Sequence, residues 1–424
     1  MDRTFSPASD FQRLEAAIAG LYALGAVPAQ VQRYQGLFEG YAAAFGPCGQ
    51  AAVFSAPGRT EIGGNHTDHQ HGKVLAGSVD LDIIAAVAPN GERVIRLQSE
   101  GFPMDVVDLD DLEARPEEYN RSVSILRGIA AWFARQGCRL EGFNAYTTST
   151  VFKGSGLSSS AALEILLGNI FNSLFHEGRC TPVELAQIGQ YAENVYFGKP
   201  SGLLDQMGSS VGGMVTIDFA DNDHPVVEKV DFDFASARHA LCIIDSGADH
   251  ADLTDEYSAV PGELKKICAR FGKGVLREVP EADFFAALPE LRRECGDRAV
   301  LRAVHIYDEN RRVSGQVEAL RRGDFDTFLM YIRDSGLSSW RYLQNVTPAG
   351  YTEHQDVALA LALAERILNG RGACRVHGGG FAGTIQAFVP LDMLEGFKAE
   401  MERVMGAGRC HVLSIRPVGG VRLV

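Results

Sequence analysis

No C-x-x-C pair occurs in this sequence, and its eight cysteines (48, 138, 180, 242, 268, 295, 374 and 410) are scattered. Reduced thiols fit that scatter better than a disulfide framework, so a cytoplasmic location is expected. There is no N-terminal basic–apolar–small leader pattern and no apolar run of about 18 residues, so neither a secretory signal nor a membrane span is expected. Basic side chains are in deficit: 40 Lys and Arg stand against 54 Asp and Glu, a net charge of −14. That balance argues against a general nucleic-acid binder, which needs a basic face. An anionic substrate would therefore need local cations or a metal. Familiar nucleotide signatures are missing too. There is no G-x-x-x-x-G-K-[S/T] loop, no H-R-D or D-F-G set, and no internal repeat.

What is present is ordinary globular material, 46% hydrophobic and 22% charged, in 424 residues. That length suits two or three domains, each with its own core. Residues 8–47 read as two amphipathic helices interrupted by Pro28 and closed by Gly46-Pro47. A short strand, Ala51–Ser55, is expected to end at Pro57-Gly58. Residues 74–88 read as a strand that turns at Asn90-Gly91 into Val94–Leu97, a hairpin by its turn chemistry. Helices are expected over 122–136, 182–197, 251–272, 297–322, 353–369 and 391–405, and strands over 214–219, 240–244, 373–376, 384–389 and 410–424. The charged, turn-rich stretch 220–238 places a domain boundary near 235, giving units 1–235 and 236–424. Strands and helices mix without regular βαβ crossovers, which predicts an α+β fold rather than a doubly wound sheet.

The chain's organising stretch is Lys153-Gly154-Ser155-Gly156-Leu157-Ser158-Ser159-Ser160-Ala161-Ala162. Strand formers precede it (Phe143–Thr148). Leu163, Leu166, Leu167, Ile170 and Leu174 follow at helical spacing. Glycines let a ligand approach the backbone, serines favour helix N-caps, and the first-turn N–H groups of a helix bind phosphate. Gly154-x-Gly156 has Ser159 where a dinucleotide fingerprint has its third glycine. A serine-capped helix under a glycine turn is the plainer reading of the same residues.

Other constellations stand apart from it. Pro57-Gly58-Arg59-Thr60-Glu61-Ile62-Gly63-Gly64-Asn65-His66-Thr67-Asp68-His69 gathers a cation, carboxylates, an amide and imidazoles, a density of donors and acceptors that suits a polyol. A solvated loop is the alternative, and His66, Asp68, His69 and His71 also admit a metal reading. Between Glu193 and Asp205, Asp205 sits among Leu203, Leu204 and Met207. A carboxylate in apolar company is either tuned by desolvation or firmly paired, unless it is a helix cap. His377-Gly378-Gly379-Gly380-Phe381-Ala382-Gly383 matches G-x-G-x-x-G, but a strand follows it rather than a helix, so a tight hairpin fits better than a dinucleotide site.

Jointly these stretches resemble the motifs of the galactose/homoserine/mevalonate/phosphomevalonate (GHMP) kinase superfamily, and within it most closely the galactokinase family. Pro57-Gly58-Arg59 … His66-Thr67-Asp68 resembles the sugar signature, Gly154–Glu164 the phosphate loop, and Gly378–Gly383 the C-terminal glycine motif. Glu193 … Gly202-x-x-Asp205-Gln206 and Asp245-Ser246 … Glu256-Tyr257 match at family spacing. The resemblance implies a ribosomal-protein-S5-like N-terminal domain and a ferredoxin-like C-terminal domain, with the last strand returning to the first domain. It implies ATP as co-substrate and Mg²⁺ as cofactor, and a monomer acting on a small sugar. Arg59 and Asp205 would be catalytic. Glu61, Asn65, His66, Asp68, Gly202 and Tyr257 would bind the sugar. Gly154, Ser155, Gly156, Leu157, Ser158, Ser159 and Ser160 would wrap the nucleotide, and Ser160 and Glu193 would hold Mg²⁺.

Departures from the family pattern are concentrated in the sugar signature. Glu61 stands where Asn is usual and Asn65 where Glu is usual, and His69 replaces Tyr. Phe152 replaces Pro before the phosphate loop. Gly379, Ala382 and Thr384 replace Ala, Gly and Cys. The exchange at 61 and 65 leaves two readings. Either Glu61 supplies the carboxylate from a shifted angle and galactose binds, or Asn65 removes a charge and admits galacturonate or N-acetylgalactosamine. A sugar and ATP sensor without turnover is a further class on this fold; the intact Arg59, Asp205 and serine run weigh against it.

Overall fold

The computed structural model describes residues 11–47, 49–152, 156–199, 201–247 and 253–424. Its strands are β1 (Ala52–Gly63), β2 (Lys73–Pro89), β3 (Val94–Ser99), β4 (Asp105–Asp108), β5 (Phe143–Ser149), β6 (Met214–Asp218), β7 (Val226–Lys229), β8 (His239–Asp245), β9 (Ala373–Val376), β10 (Thr384–Pro390), β11 (Cys410–Leu413) and β12 (Val421–Arg422). One eight-stranded sheet runs β12-β1-β2-β5-β3-β4, with β6 against β2 and β7 against β6. A four-stranded sheet runs β11-β8-β10-β9, antiparallel throughout. The fold is α+β, and β12 carries the chain end back to the first sheet.

The helices Ser122–Arg135, Ser159–Phe175 and Pro182–Ala192 cover the first sheet, with Ile129, Phe133, Ile165, Ile170 and Ile188 in its core. Strand β8 is buried on both faces. Leu241 and Ile243 join that core, while Ala240, Cys242 and Ile244 pack with the helices Asp356–Leu368 and Leu394–Met405. Period-two side-chain alternation thus lets one strand belong to two cores. The chain ends are tied to β2 by a buried carboxylate: Asp82 accepts from Arg33, Ser55, Tyr22 and Arg416.

Two local expectations are corrected. β2 and β3 do not form a hairpin. β5 lies between them, antiparallel to β2 and parallel to β3, and the Asn90 amide serves this arrangement by donating to Val94 and Asn144. Strand β1 does not stop at Pro57-Gly58. It runs on to Gly63, with register shifts at Pro57/Arg59 and Glu61/Gly63. Bulges absorb a proline and extra residues without ending the ladder.

No described helix is long and apolar enough to cross a membrane. Every described cysteine is a free thiol.

Candidate active site

Continuation of β1 is what places the chemistry. Arg59 and Glu61 lie two residues apart on one strand, so both point to one side. They line a cavity of about 500 Å³ with His66, Asp68, His69, Lys199, Leu204, Asp205, Tyr257, Ser258, Pro261, Gly378 and Gly379. Residues from five separate stretches therefore meet in one cleft.

Arg59 and Asp205 form its centre. Arg59 Nε and Nη2 donate to Asp205 Oδ1 at 2.9 and 2.6 Å, and Arg59 Nη1 donates to the carbonyl of Gly156. The other Asp205 oxygen accepts from Ser158 Oγ at 2.8 Å. Burial pushes the Asp205 carboxyl up, but Arg59, Ser158 and Lys199 outweigh it and hold the group below its ordinary 3.8. Asp205 is not a helix cap: it lies inside the helix Leu204–Val211 and faces the cleft.

Ser158 precedes the helix Ser159–Phe175 in a left-handed conformation (φ 57) and makes no capping bond. Its hydroxyl is committed to Asp205, so the first-turn N–H groups keep no side-chain cap, as an anion site requires. Leu157 is buried and Ser160 exposed. Gly154 and Ser155 lie outside the described residues.

On the sugar-signature side, His66 Nε2 donates to the Gly379 carbonyl at 2.9 Å, and burial lowers its pKa to about 4. The neutral ring thus keeps its other nitrogen as an acceptor. Tyr257 Oη donates to the Gly380 carbonyl at 2.7 Å. Gly202 packs onto Asp68: a Cβ there would stand 2.2 Å from Oδ2.

Asn65 does not face the cleft. It is fully buried, with Nδ2 donating to Glu61 Oε1 (3.2 Å) and Gly378 O (2.6 Å), and Oδ1 accepting from Ser339 and Asn345. Glu61 faces the cavity, and buried Arg375 donates to its Oε1. Burial pushes Glu61 up, against the lowering effect of Arg375 and Arg59. The carboxylate–amide exchange read in the sequence is therefore a division of labour: Glu61 reaches the ligand space, and Asn65 holds it there.

Glu193 opens a π-helical turn, Glu193–Phe197, a distortion common at functional sites. Its carboxylate accepts from Lys199 Nζ (3.3 Å) and Gln206 Nε2 (2.9 Å), and Gln206 also donates to Glu164 Oε2 at 2.8 Å. Glu164 Oε1 and Gln206 Oε1 are buried with no hydrogen-bond partner among the described residues. Burial, then the charge of Glu193, pushes Glu164 well above the carboxylate range. Unsatisfied hard oxygens beside the Glu193 carboxylate fit a small divalent cation such as Mg²⁺, which would also displace the proton from Glu164. No described group of three or more His, Cys, Asp or Glu is placed to hold a metal by itself. That also leaves the His66/Asp68/His69/His71 metal reading without support. Mg²⁺ characteristically takes only one or two protein carboxylates and completes its shell with phosphate and water.

Lys199, Arg375, Gln206 and Glu164 were not assigned roles from sequence. Arg375 had a signal: a charge in the otherwise apolar Ala373-Cys374-Arg375-Val376. The glycine motif turns into β10 as expected. Phe381 (φ 59), not Ala382, takes the left-handed position between Gly380 and Gly383, so Ala382 is not strained.

Such a cleft, between a mixed sheet and a four-stranded antiparallel sheet with a helix N-terminus at its edge, is that of a GHMP kinase. Residues 124–213 match the GHMP kinases N terminal domain, and the fold is shared with solved mevalonate kinases (TM-score 0.61, 13% identity, 86% of this chain and 99% of that one). Residues 39–89 match the galactokinase galactose-binding signature. The galactokinase of Streptomyces coelicolor is 30% identical over 84% of this chain and 89% of its own length. That of Glaesserella parasuis is 29% identical over the same shares. The Lactococcus lactis galactokinase, solved with galactose, superposes with a TM-score of 0.78 at 25% identity, covering 92% of this chain and all of that one. The chain belongs to the galactokinase family.

Proposed function

We propose that this protein transfers the γ-phosphoryl group of ATP to the anomeric hydroxyl of galactose, giving galactose 1-phosphate and ADP. The observation that carries the reading is the position of the Arg59–Asp205 pair. It joins the sugar-signature side of the cavity to the phosphate-loop end at Gly156 and Ser158. The hydroxyl oxygen forms a bond to the γ-phosphorus, the bond to the β,γ-bridging oxygen breaks, and ADP leaves with that electron pair. The hydroxyl proton passes to Asp205. Phosphoryl transfer runs through a loose transition state, so positioning and charge stabilisation do most of the work. A carboxylate held below its ordinary pKa is a weak base. Asp205 thus orients the hydroxyl first and takes the proton as the bond to phosphorus forms. Arg59 and the uncapped N–H groups after Ser158 supply positive charge to the transferring group.

Ser160 and Glu193 are the residues we assign to Mg²⁺. The bound ion would neutralise charge on the β- and γ-phosphates. Glu61, His66, Asp68 and Tyr257 are assigned to the sugar, with Gly202 setting the seat of Asp68. Glu61, Asp68 and Asp205 present three carboxylates to the ligand space, which favours a neutral hexose over a uronic acid. ADP release measured with galactose, galacturonate and N-acetylgalactosamine tests this. Galactose should give the highest kcat/KM by at least tenfold. A preference for galacturonate would overturn the sugar assignment, and nucleotide and sugar binding without ADP release would make the protein a sensor.

A further inference from the structure

One buried ring outside the cleft bears on the same chemistry. His377 follows β9, is 2% exposed, and does not line the cavity. One edge of its ring meets β1: Nε2 accepts from the Glu61 backbone N–H at 3.3 Å and lies 3.1 Å from Thr60 Oγ1. Because Nε2 accepts from an amide, the proton sits on Nδ1, which donates to Thr384 Oγ1 at 3.0 Å. The backbone N–H of His377 donates to the Thr384 carbonyl, pinning the ring to β10.

The Nδ1 edge bears on Gly156. A Cβ on Gly156, which sits at φ +68, would stand 2.6 Å from Thr384 Oγ1 and 2.8 Å from His377 Nδ1. Gly156 therefore rests directly on the His377–Thr384 pair. Its carbonyl is also one of the acceptors that fix the Arg59 guanidinium, and the Arg59 backbone N–H donates to Leu157 O at 2.9 Å. Moving the ring would remove its hold on the strand that carries Arg59, which Gln386 also holds through Thr60 Oγ1 and the Glu61 carbonyl, and on the loop residue that accepts from Arg59 Nη1.

We propose that His377 is a positioning residue for phosphoryl transfer: from the second sheet it sets the spacing between the end of the phosphate loop at Gly156 and the Arg59–Glu61 segment of β1. The inference rests on the kinase reading above. Its ring touches no reacting atom, and because its Nε2 holds the Glu61 backbone N–H its effect should appear in sugar affinity as well as in the nucleotide and in turnover.

Three variants separate the bonds. His377→Ala removes both. His377→Gln places an amide oxygen near the Nε2 position and keeps the link to β1. His377→Asn reaches the Nδ1 position and keeps only the link to Thr384. Misplacing a reacting group by about 1 Å can cost about 10²-fold. His377→Ala should therefore lower kcat by about that factor and raise KM for ATP, and weaken galactose binding measured by calorimetry without nucleotide. His377→Gln should recover at least tenfold of the loss, and His377→Asn should not. A circular-dichroism spectrum like the parent's certifies that the variant is folded. His377→Ala with kcat and ATP KM within twofold of the parent would overturn the proposal, as would equal recovery by both amides. Calorimetry with a non-hydrolysable ATP analogue keeps the test separate from the kinase reading. If the parent binds nucleotide but releases no ADP, weaker nucleotide binding by His377→Ala still supports the positioning role, and unchanged binding overturns it.

Discussion

Asp205 and Glu61 are both carboxylates facing one cleft, yet their neighbours give them different work. Arg59, Ser158 and Lys199 hold Asp205 ionised below its ordinary 3.8. The acidic limb of a kcat/KM profile due to Asp205 should then lie below pH 3.8, with activity flat above it until another group titrates. A limb near neutrality that vanishes in Asp205→Asn would contradict that. Asp205→Asn itself should lower kcat by about 10²–10⁴-fold, the usual yield of a positioned acid–base group, with galactose binding retained. Glu61 is held by Arg375, whose side chain is fully buried. Breaking a buried pair by removing one partner costs up to about 3–5 kcal/mol, so Arg375→Leu should lower thermal stability and weaken galactose binding together. An unaltered melting temperature would show that the pair carries no such burden. That Arg59, His66, Asp68, Asp205 and Tyr257 share one cleft was legible in the spacing of the motifs that contain them. The roles of Glu61 and Asn65 were only half legible. Spacing cannot tell which of two polar residues faces a cavity when a bulge in β1 decides it.

At the level of elements, irregularities do the positioning. The π-helical turn at Glu193–Phe197 points Glu193 toward Gln206 and Lys199. Glu193→Gln should raise the Mg²⁺ concentration needed for half-maximal rate, measured at saturating sugar; an unchanged requirement would dismiss Glu193 as a ligand. Gly156 sits at a positive φ with no space for a side chain. Gly156→Ala should lose turnover by about 10²-fold, since backbone strain and displacement act at the reacting centre. The helices Ser122–Arg135 and Asp297–Arg321 match the sequence reading to within a residue or two. The hairpin after β2 was misread because Asn-Gly chemistry is local, whereas the insertion of β5 is decided by residues some fifty positions on. The helix Phe325–Ser338 escaped notice, and the bulged second half of β1 was hidden behind a proline.

Across the whole molecule, the protonation of buried charges around the cleft shapes stability in acid. His66 and His305 are lowered by burial to about 4 from an ordinary 6.5. Once unfolded they bind protons sooner than in the fold. Their contribution is therefore complete above pH 6.5 and fades as pH falls toward 4. Glu309, where burial is outweighed by Arg312, His305 and Arg375, lies at about 2 against an ordinary 4.5. Its contribution holds above pH 4.5 and fades below. The melting temperature should decline from pH 6.5 downward and go on declining below 4 as Glu309 loses its charge. A flat profile from pH 7 to 4 would contradict this assignment.

In the proposed transfer a sugar hydroxyl and the phosphate-loop end meet across Arg59 and Asp205. Phosphorus NMR of the product formed from galactose, ATP and Mg²⁺ tests it most directly. A phosphomonoester resonance coupled to the anomeric proton is expected, lost in Asp205→Asn. A phosphate on C6, or no new ester despite bound sugar and nucleotide, would contradict it.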